Sequence, residues 1–414
     1  VGSEMCIRDS CRTQRSPFFF HMKTIRLMGH AGSDVEIGYR SLEEIENTEF
    51  NDPLLHSARI LIENSVLSSE DIISIYKSEQ SRVHHIFETA TRKPKLQSEK
   101  KVMEAITTHD TNRKFPNFPS EETRKKVFGK EFERLNQKHH MAKLINYALF
   151  DILLRLKNTL IFGEDVAQKG GVYHVTADLY RQFGVRREFN SPLDETSIIG
   201  FAIGFAHNGF IPIPEIQFLA YFHNAEDQLR GEAATLPFFS KGQFTNPMVL
   251  RVPGLAYQKG FGGHYHNDNS LTIFRDIPGV ILAVPSNGAD GAKMLRTAIR
   301  EAYENGRVVV FVEPIALYMK KDLHKSKDRK WIFKYPYIKD EIPIGEFGTY
   351  GNGKALTIIT YGNGLYISLQ AKKEIEKKLK KKIKIIDLRW LSNIDTFKLL
   401  KAIGICEIVL IVVE

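Results

Sequence analysis

Cysteine is scarce in this 414-residue chain: Cys6, Cys11 and Cys406 are too few and too scattered for a disulfide framework, which points to a reducing compartment and a cytoplasmic location. No apolar run approaches the length of a membrane span, so a soluble protein without a membrane partner is expected. Zinc-finger spacing is missing too, and no aromatic pattern is interleaved with the basic residues. The formal charge of +9 therefore does not argue for a nucleic-acid partner; runs such as Lys372 to Lys384 read as solvated helix faces. What is plentiful is apolar residue: 43% hydrophobic content over this length is enough for two or three domains with real cores.

Both ends read as irregular. Residues 1–10, VGSEMCIRDS, have no periodicity and look like translated sequencing adapter rather than a signal peptide, so they and Cys6 are expected to stand outside the fold. At the other end Glu407 to Glu414 reads as a buried parallel strand at which the sequence stops, so the chain reads as a piece of a longer protein.

Between these ends Met22 to Arg40 suggests a short strand running into a Gly-His loop with Ser33 and Asp34. Helices are expected over Leu42 to Glu46, Ser57 to Ile62 and Ser69 to Lys77, the last capped from Ser68, Ser69 and Asp71. These make residues 11–79 a first unit. Residues 80–138, charged and proline-bearing, read as a polar connector. From Met141 onward strands and helices alternate, including a helix over Ala225 to Leu236. That alternation predicts an α/β fold with parallel sheets and helices on both faces, divided into domains 139–325 and 326–414.

The chemistry concentrates between Asn190 and Gln217. Glu195 precedes helical spacing of Ile198, Ile199, Phe201, Ala202, Phe205 and Ala206, with Gly200 and Gly204 read as allowing close backbone packing. A second acid, Glu215, ends the apolar run from Phe210 to Ile216. Acids on an apolar scaffold need a partner or a proton, although an acid that merely answers the helix dipole has the same spacing. Downstream, GFGGHYHND lacks the glycine spacing and following helix of a dinucleotide fingerprint, and it offers no cysteine and no third metal ligand at helical spacing. It is left as a loop that either presents an acid-base imidazole or holds a satisfied histidine.

Taken together, FGEDVAQKGGVYHVTADLYRQFG, SPLDETSIIGFAIG, PIPEIQFLAYFHNAEDQL, the YHND loop, PGVILAVPSNGADG and IIDLRWLSNIDTF resemble the beta subunit of the thiamine-diphosphate-dependent decarboxylating component of 2-oxo acid dehydrogenase complexes. MGHAGSDVEIGYRSLEEIENTEFNDPL is similar to the end of the alpha subunit, so the chain resembles an alpha–beta fusion with the tail of one half and most of the other.

The resemblance implies a transketolase-like thiamine-diphosphate fold and oxidative decarboxylation of a 2-oxo acid, either branched-chain such as 3-methyl-2-oxobutanoate or pyruvate. The acyl group would pass to a lipoyl-bearing acyltransferase core, with dihydrolipoamide dehydrogenase as further partner and a homo-oligomer of the full fusion as the assembly. It also implies catalytic roles for Glu195, His266 and His30. Glu195 matches the acid on the cofactor's aminopyrimidine, Phe218 and Tyr221 match the aromatic positions flanking that ring, and Glu164 and Glu215 match acids near it. Asn267 stands where the family has a serine, and Ser33 matches a serine phosphorylated in some members. No Gly-Asp-Gly segment precedes His30, so Mg2+ would be held through the alpha half, this chain would supply no metal ligand, and alone it would be inactive. The alternatives are a transketolase or deoxyxylulose-phosphate synthase, and a non-catalytic scaffold subunit.

Overall fold

Runs of β-branched and apolar residues such as Val308–Pro314 (VVVFVEP) and Met248–Gly254 (MVLRVPG) bury every residue, as strands covered on both faces must. In the computed structural model, which describes residues 2–107, 113–256, 262–392 and 394–413, they belong to a parallel sheet. Its order is Glu188–Asn190, Thr159–Gly163, Ile211–Glu215, Met248–Gly254, Val308–Pro314, Ile281–Ala283. Strand alternation divides the core. Val309 and Phe311 pack with the helices Met141–Arg155 and Gly288–Asn305, whereas Val308, Val310 and Val312 pack with Ile198, Ile199 and Ala202 of the helix Glu195–His207. Gly288 lets its helix touch the first: a Cβ there would lie 2.8 Å from Met141 Cα.

Proline shapes the middle of this sheet. The amides of residues 211, 213 and 215 face Thr159–Gly163, as the Ile211 N–H to Asn158 O bond shows. Residues 212 and 214 face Met248–Gly254, but both are proline and donate nothing. Pairing on that side shrinks to Glu215 with Arg251, followed by the Ile216 N–H to Arg251 O bond of 3.1 Å.

A second sheet carries Leu356–Thr360, Ile383–Asp387 and Ile408–Ile411 in parallel, with Gly348–Tyr350 antiparallel at one edge. Residues 388–392 cross back onto the first sheet. Ala283 bridges Trp390 antiparallel, the Val284 amide donates to Arg389 O (2.7 Å), the Leu391 amide to Leu282 O (2.9 Å), and the Leu282 amide to Ser392 Oγ (2.8 Å). Arg389 also pairs with Asp290 at 2.7 Å.

The chain divides into compact units 1–95 and 96–414. The first holds the helices Gly2–Gln14, Leu42–Phe50, Pro53–Glu63 and Ser69–Thr91, and over residues 6–95 no residue is buried. Ser68 and Asp71 form a capping box there.

Several expectations need correction. Met22 to Arg40 forms no strand; its regular element is the 3-10 turn Glu36–Gly38. The helix expected over Ala225 to Leu236 is broken into a 3-10 turn His223–Ala225, a π turn Gln228–Ala233 and a short helix Leu236–Phe239 with Pro237 in its first turn. Gly200 and Gly204 face outward, and a Cβ added at either would meet nothing within 4 Å, so close packing does not require them. The connector 80–138 is not one polar element. Residues 80–91 continue a helix, whereas Phe115 and Phe118 bracket the Arg155 guanidinium at 4.1 and 3.6 Å, Arg124 pairs with Asp151 at 2.8 Å, and Phe128 and Leu135 are buried. A few anchoring side chains fix a segment whose average composition is polar. Gly260, Phe261 and Asn393, which fall within two of the motifs above, and residues 108–112 of the connector lie outside the described residues.

Candidate active site

In a parallel sheet the loops after the strands share one edge, and ligands bind in open α/β sheets outside those carboxyl ends. Glu164 directly follows Thr159–Gly163, Glu195 follows Glu188–Asn190 by a short turn, Phe218 and Tyr221 follow Ile211–Glu215, and His266 lies in the loop after Met248–Gly254. Four neighbouring strands thus deliver these residues to one edge.

Glu195 opens its helix and is 6% exposed; Asp194 caps in extended conformation without a side-chain cap bond. Burial of Ile198, Ile199 and Ala202 against the sheet sets the depth at which the carboxylate sits. Asn224 Nδ2 donates to Glu195 Oε2 at 3.4 Å, and Thr196 Oγ1 donates to Asn224 O at 2.9 Å, so the carboxylate faces the turn that follows Tyr221. Asn224 was not anticipated; one amide in a mixed polar segment carries no spacing signal.

Opposite lie the rings. Phe218 is buried, with its ring edge-on to His266 at 4.5 Å and to Tyr221 at 5.7 Å. Tyr221 Oη and His266 Nε2 are 3.1 Å apart, and His266 Nδ1 is 3.2 Å from Gly262 O. With Nδ1–H donating to that carbonyl, Nε2 accepts from the tyrosine hydroxyl. Gly262, at φ +76°, is needed here: a Cβ would come 2.2 Å from His266 Nδ1. Asn267, in the place of the expected serine, donates from Nδ2 to Gly263 O at 2.6 Å.

Glu164 ties the acids together. Burial, then the Glu195 and Asp165 carboxylates, raise its pKa, and its Oε1 is buried without a hydrogen-bond partner. Burial followed by Glu164 and Glu195 likewise raises Tyr221. Structure therefore brings Glu164, Glu195, Phe218, Tyr221 and His266 together.

Glu215 differs from the expectation. It sits in a second, fully buried cluster, where Arg251 Nη1 donates to its Oε2 at 2.5 Å while Arg251 Nε and Nη2 donate to Glu313 at 2.6 and 2.9 Å. Tyr318 Oη donates to Glu313, and Glu188 lies alongside with neither carboxyl oxygen hydrogen-bonded. Burial lifts Glu215 to about 7 against the pull of Arg251. Burial, reinforced by Glu215, lifts Glu188 to about 9.

The sign of this effect is testable. A free glutamate ionises near 4.5, so between there and about 9 the folded protein keeps the Glu188 proton that the unfolded chain has lost, and stability falls as pH rises. Glu188→Gln is expected to flatten the decline in thermal midpoint between about pH 6 and about pH 9, followed by differential scanning fluorimetry. An unchanged slope would remove Glu188 from the account.

His30 belongs to the N-terminal unit. Its Nδ1 is 3.1 Å from Arg26 Nη2, and its amide donates to Asp34 Oδ2 at 2.6 Å. Among the described residues no group of three or more His, Cys, Asp or Glu is placed to hold a metal ion, and no helix is long and apolar enough to cross a membrane.

Three sequence families match: the transketolase pyrimidine-binding domain over residues 137–320, the dehydrogenase E1 component over 5–99, and the transketolase C-terminal domain over 347–414. Relatives include the 2-oxoisovalerate dehydrogenase subunit beta of Dictyostelium discoideum, 35% identical over 63% of this chain and 66% of that protein. The 3-methyl-2-oxobutanoate dehydrogenase subunit beta of Mycobacterium tuberculosis is 32% identical, over 63% and 70%. The pyruvate dehydrogenase E1 component subunit beta of Bacillus subtilis is 34% identical, over 62% and 73%. A solved split-gene transketolase, an inactive beta4 tetramer, has a TM-score of 0.51 at 18% identity, covering 66% of this chain and 79% of that one, and shares the fold.

Proposed function

Because the chain belongs to the thiamine-diphosphate-dependent decarboxylating component of the 2-oxo acid dehydrogenases, on its beta-subunit side, we propose that in its complete form it decarboxylates a branched-chain 2-oxo acid or pyruvate and passes the acyl group to lipoyl groups. The observation that carries this reading is Glu195, buried at a helix start within one group with Glu164, Tyr221, Phe218 and His266.

These residues suit the pyrimidine half of the cofactor. Tyr221, with Phe218 packed edge-on against it, offers ring surface to a flat heterocycle, and the partnerless Glu164 Oε1 can accept a hydrogen bond from a ligand amine. Thiamine diphosphate, when bound, supplies the electron sink for loss of carbon dioxide. Glu195 holds or moves a proton at its carboxylate, while Asn224 and Thr196 fix the direction in which that carboxylate points. His266, oriented by Gly262 O and Tyr221 Oη, presents its imidazole to the substrate side. Glu215 is assigned to the buried Arg251 cluster rather than to cofactor contact, and His30 to an alpha-type cofactor loop.

Mg2+ would enter with the diphosphate, on an alpha-type half carrying a Gly-Asp-Gly segment. A lipoyl-bearing acyltransferase core and dihydrolipoamide dehydrogenase are the partners, the assembly is a homo-oligomer of the fusion, and free Cys6, Cys11 and Cys406 suit a cytoplasmic setting. The test is co-expression with such an alpha half and an assay of carbon dioxide release from 3-methyl-2-oxobutanoate and from pyruvate. Turnover of either supports the proposal, and the ratio assigns the substrate. Ketol transfer between sugar phosphates without release from either 2-oxo acid would sink it.

A further inference from the structure

His223 and Asp268 have no part in the site described above, yet they join the same two segments. Tyr221 and His223 lie two apart on the stretch after Ile211–Glu215; His266 and Asp268 lie two apart on the loop after Met248–Gly254. Tyr221 meets His266 at 3.1 Å and His223 Nε2 meets Asp268 Oδ2 at 3.1 Å, two matched rungs between one pair of segments. Asp268 is also where the loop is fastened to itself and to the sheet. Its Oδ1 accepts the Ser270 amide at 2.7 Å, and its carbonyl accepts the Leu255 amide at 3.3 Å, just past the end of the strand. Its side chain is 17% exposed; burial works to raise its pKa, but the bonds from Ser270 and from His223 outweigh that and lower it.

We propose that the His223–Asp268 pair is a latch that positions the His266 loop over the active site, making both positioning residues for the decarboxylation reaction. A partly exposed polar pair adds little to overall stability, so its value lies in where it acts, two residues from an imidazole whose placement sets the reaction geometry. Without the second rung, the His266 end of the loop keeps its contacts with Tyr221 and Phe218 but loses the tie two residues further on, and the imidazole samples positions away from the reacting centre. The inference rests on the function proposed above, and its test separates the two.

In the complete enzyme His223→Phe and Asp268→Asn are each expected to lower kcat about ten- to a hundredfold, with KM changed much less, because a small misplacement costs rate rather than ground-state binding. The double variant should be no worse than either single one, and His223→Gln, which keeps a donor, should recover part of the loss. Hydrogen-deuterium exchange over residues 262–271, measured without substrate, should rise in Asp268→Asn and fall back in no variant lacking the pair. Unchanged exchange would show that no latch exists. Raised exchange with wild-type kcat, or losses that add in the double variant, would show that the pair braces the loop without positioning His266. Failure of the function itself would appear separately, as a wild-type enzyme that releases no carbon dioxide.

Discussion

Glu195→Gln in the complete enzyme is expected to lower turnover by about a hundred- to ten-thousand-fold while leaving cofactor affinity and thermal midpoint near their wild-type values. Glutamine has nearly the volume of glutamate and can still meet Asn224, but an amide neither gives nor takes a proton at neutral pH. At a position 6% exposed, a neutral amide is also easier to keep buried than a charge, so the fold has no reason to fail. Calorimetric titration of thiamine diphosphate separates binding from chemistry, and hydrogen exchange at the thiazolium carbon of the bound cofactor reads the proton step. If the variant binds cofactor and turns over at the wild-type rate, Glu195 only answers the helix dipole and the catalytic assignment is lost.

The second large effect is expected away from the site. Arg251→Met leaves Glu215 and Glu313, next to Glu188, as buried carboxyls with no cation among them. Removing one member of such a group costs about 3 to 5 kcal/mol, and on a domain of this size the thermal midpoint should drop by on the order of ten degrees. Adding Glu215→Gln and Glu313→Gln to Arg251→Met should return much of the loss, because the charges that needed the guanidinium are then gone. Thermal melts of the three variants at one pH decide this. A midpoint for Arg251→Met within about two degrees of wild type, by the same scale, would mean that the carboxyls find protons at little cost.

What could be read from the sequence followed the range of each signal. Strands such as Val308–Pro314 announce themselves because burial on both faces demands an unbroken apolar run, and Glu195 stands out because one acid precedes a helix with almost no polar face. The position of Glu215 was legible as well, but its company was not. Arg251 is 36 residues away, and only the sheet, with the prolines at 212 and 214 withholding their side of the ladder, brings the two together. Glu188–Asn190 is three residues long and gives periodicity nothing to work on. Likewise Asn224 and the His223–Asp268 pair are tertiary coincidences between segments that each look like ordinary loop. The segment 80–138 failed in another way: averaging over it diluted Phe115, Phe118 and Arg124, whose anchoring depends on single contacts.

The return of residues 388–392 onto the first sheet bears on how such a protein can be rearranged in evolution. Judged by chain order, the pyrimidine-binding and C-terminal portions are separate modules, and a recombination breakpoint between them would look harmless. Trp390, fully buried and bridged to Ala283, makes them one another's edge: a foreign C-terminal portion has to bring both a large ring for that socket and a backbone able to make the Val284 and Leu391 bonds. Exchanges that cut between the two portions are therefore filtered by a short seam, so these two portions are expected to be inherited together even in lineages where the alpha and beta halves are fused or split.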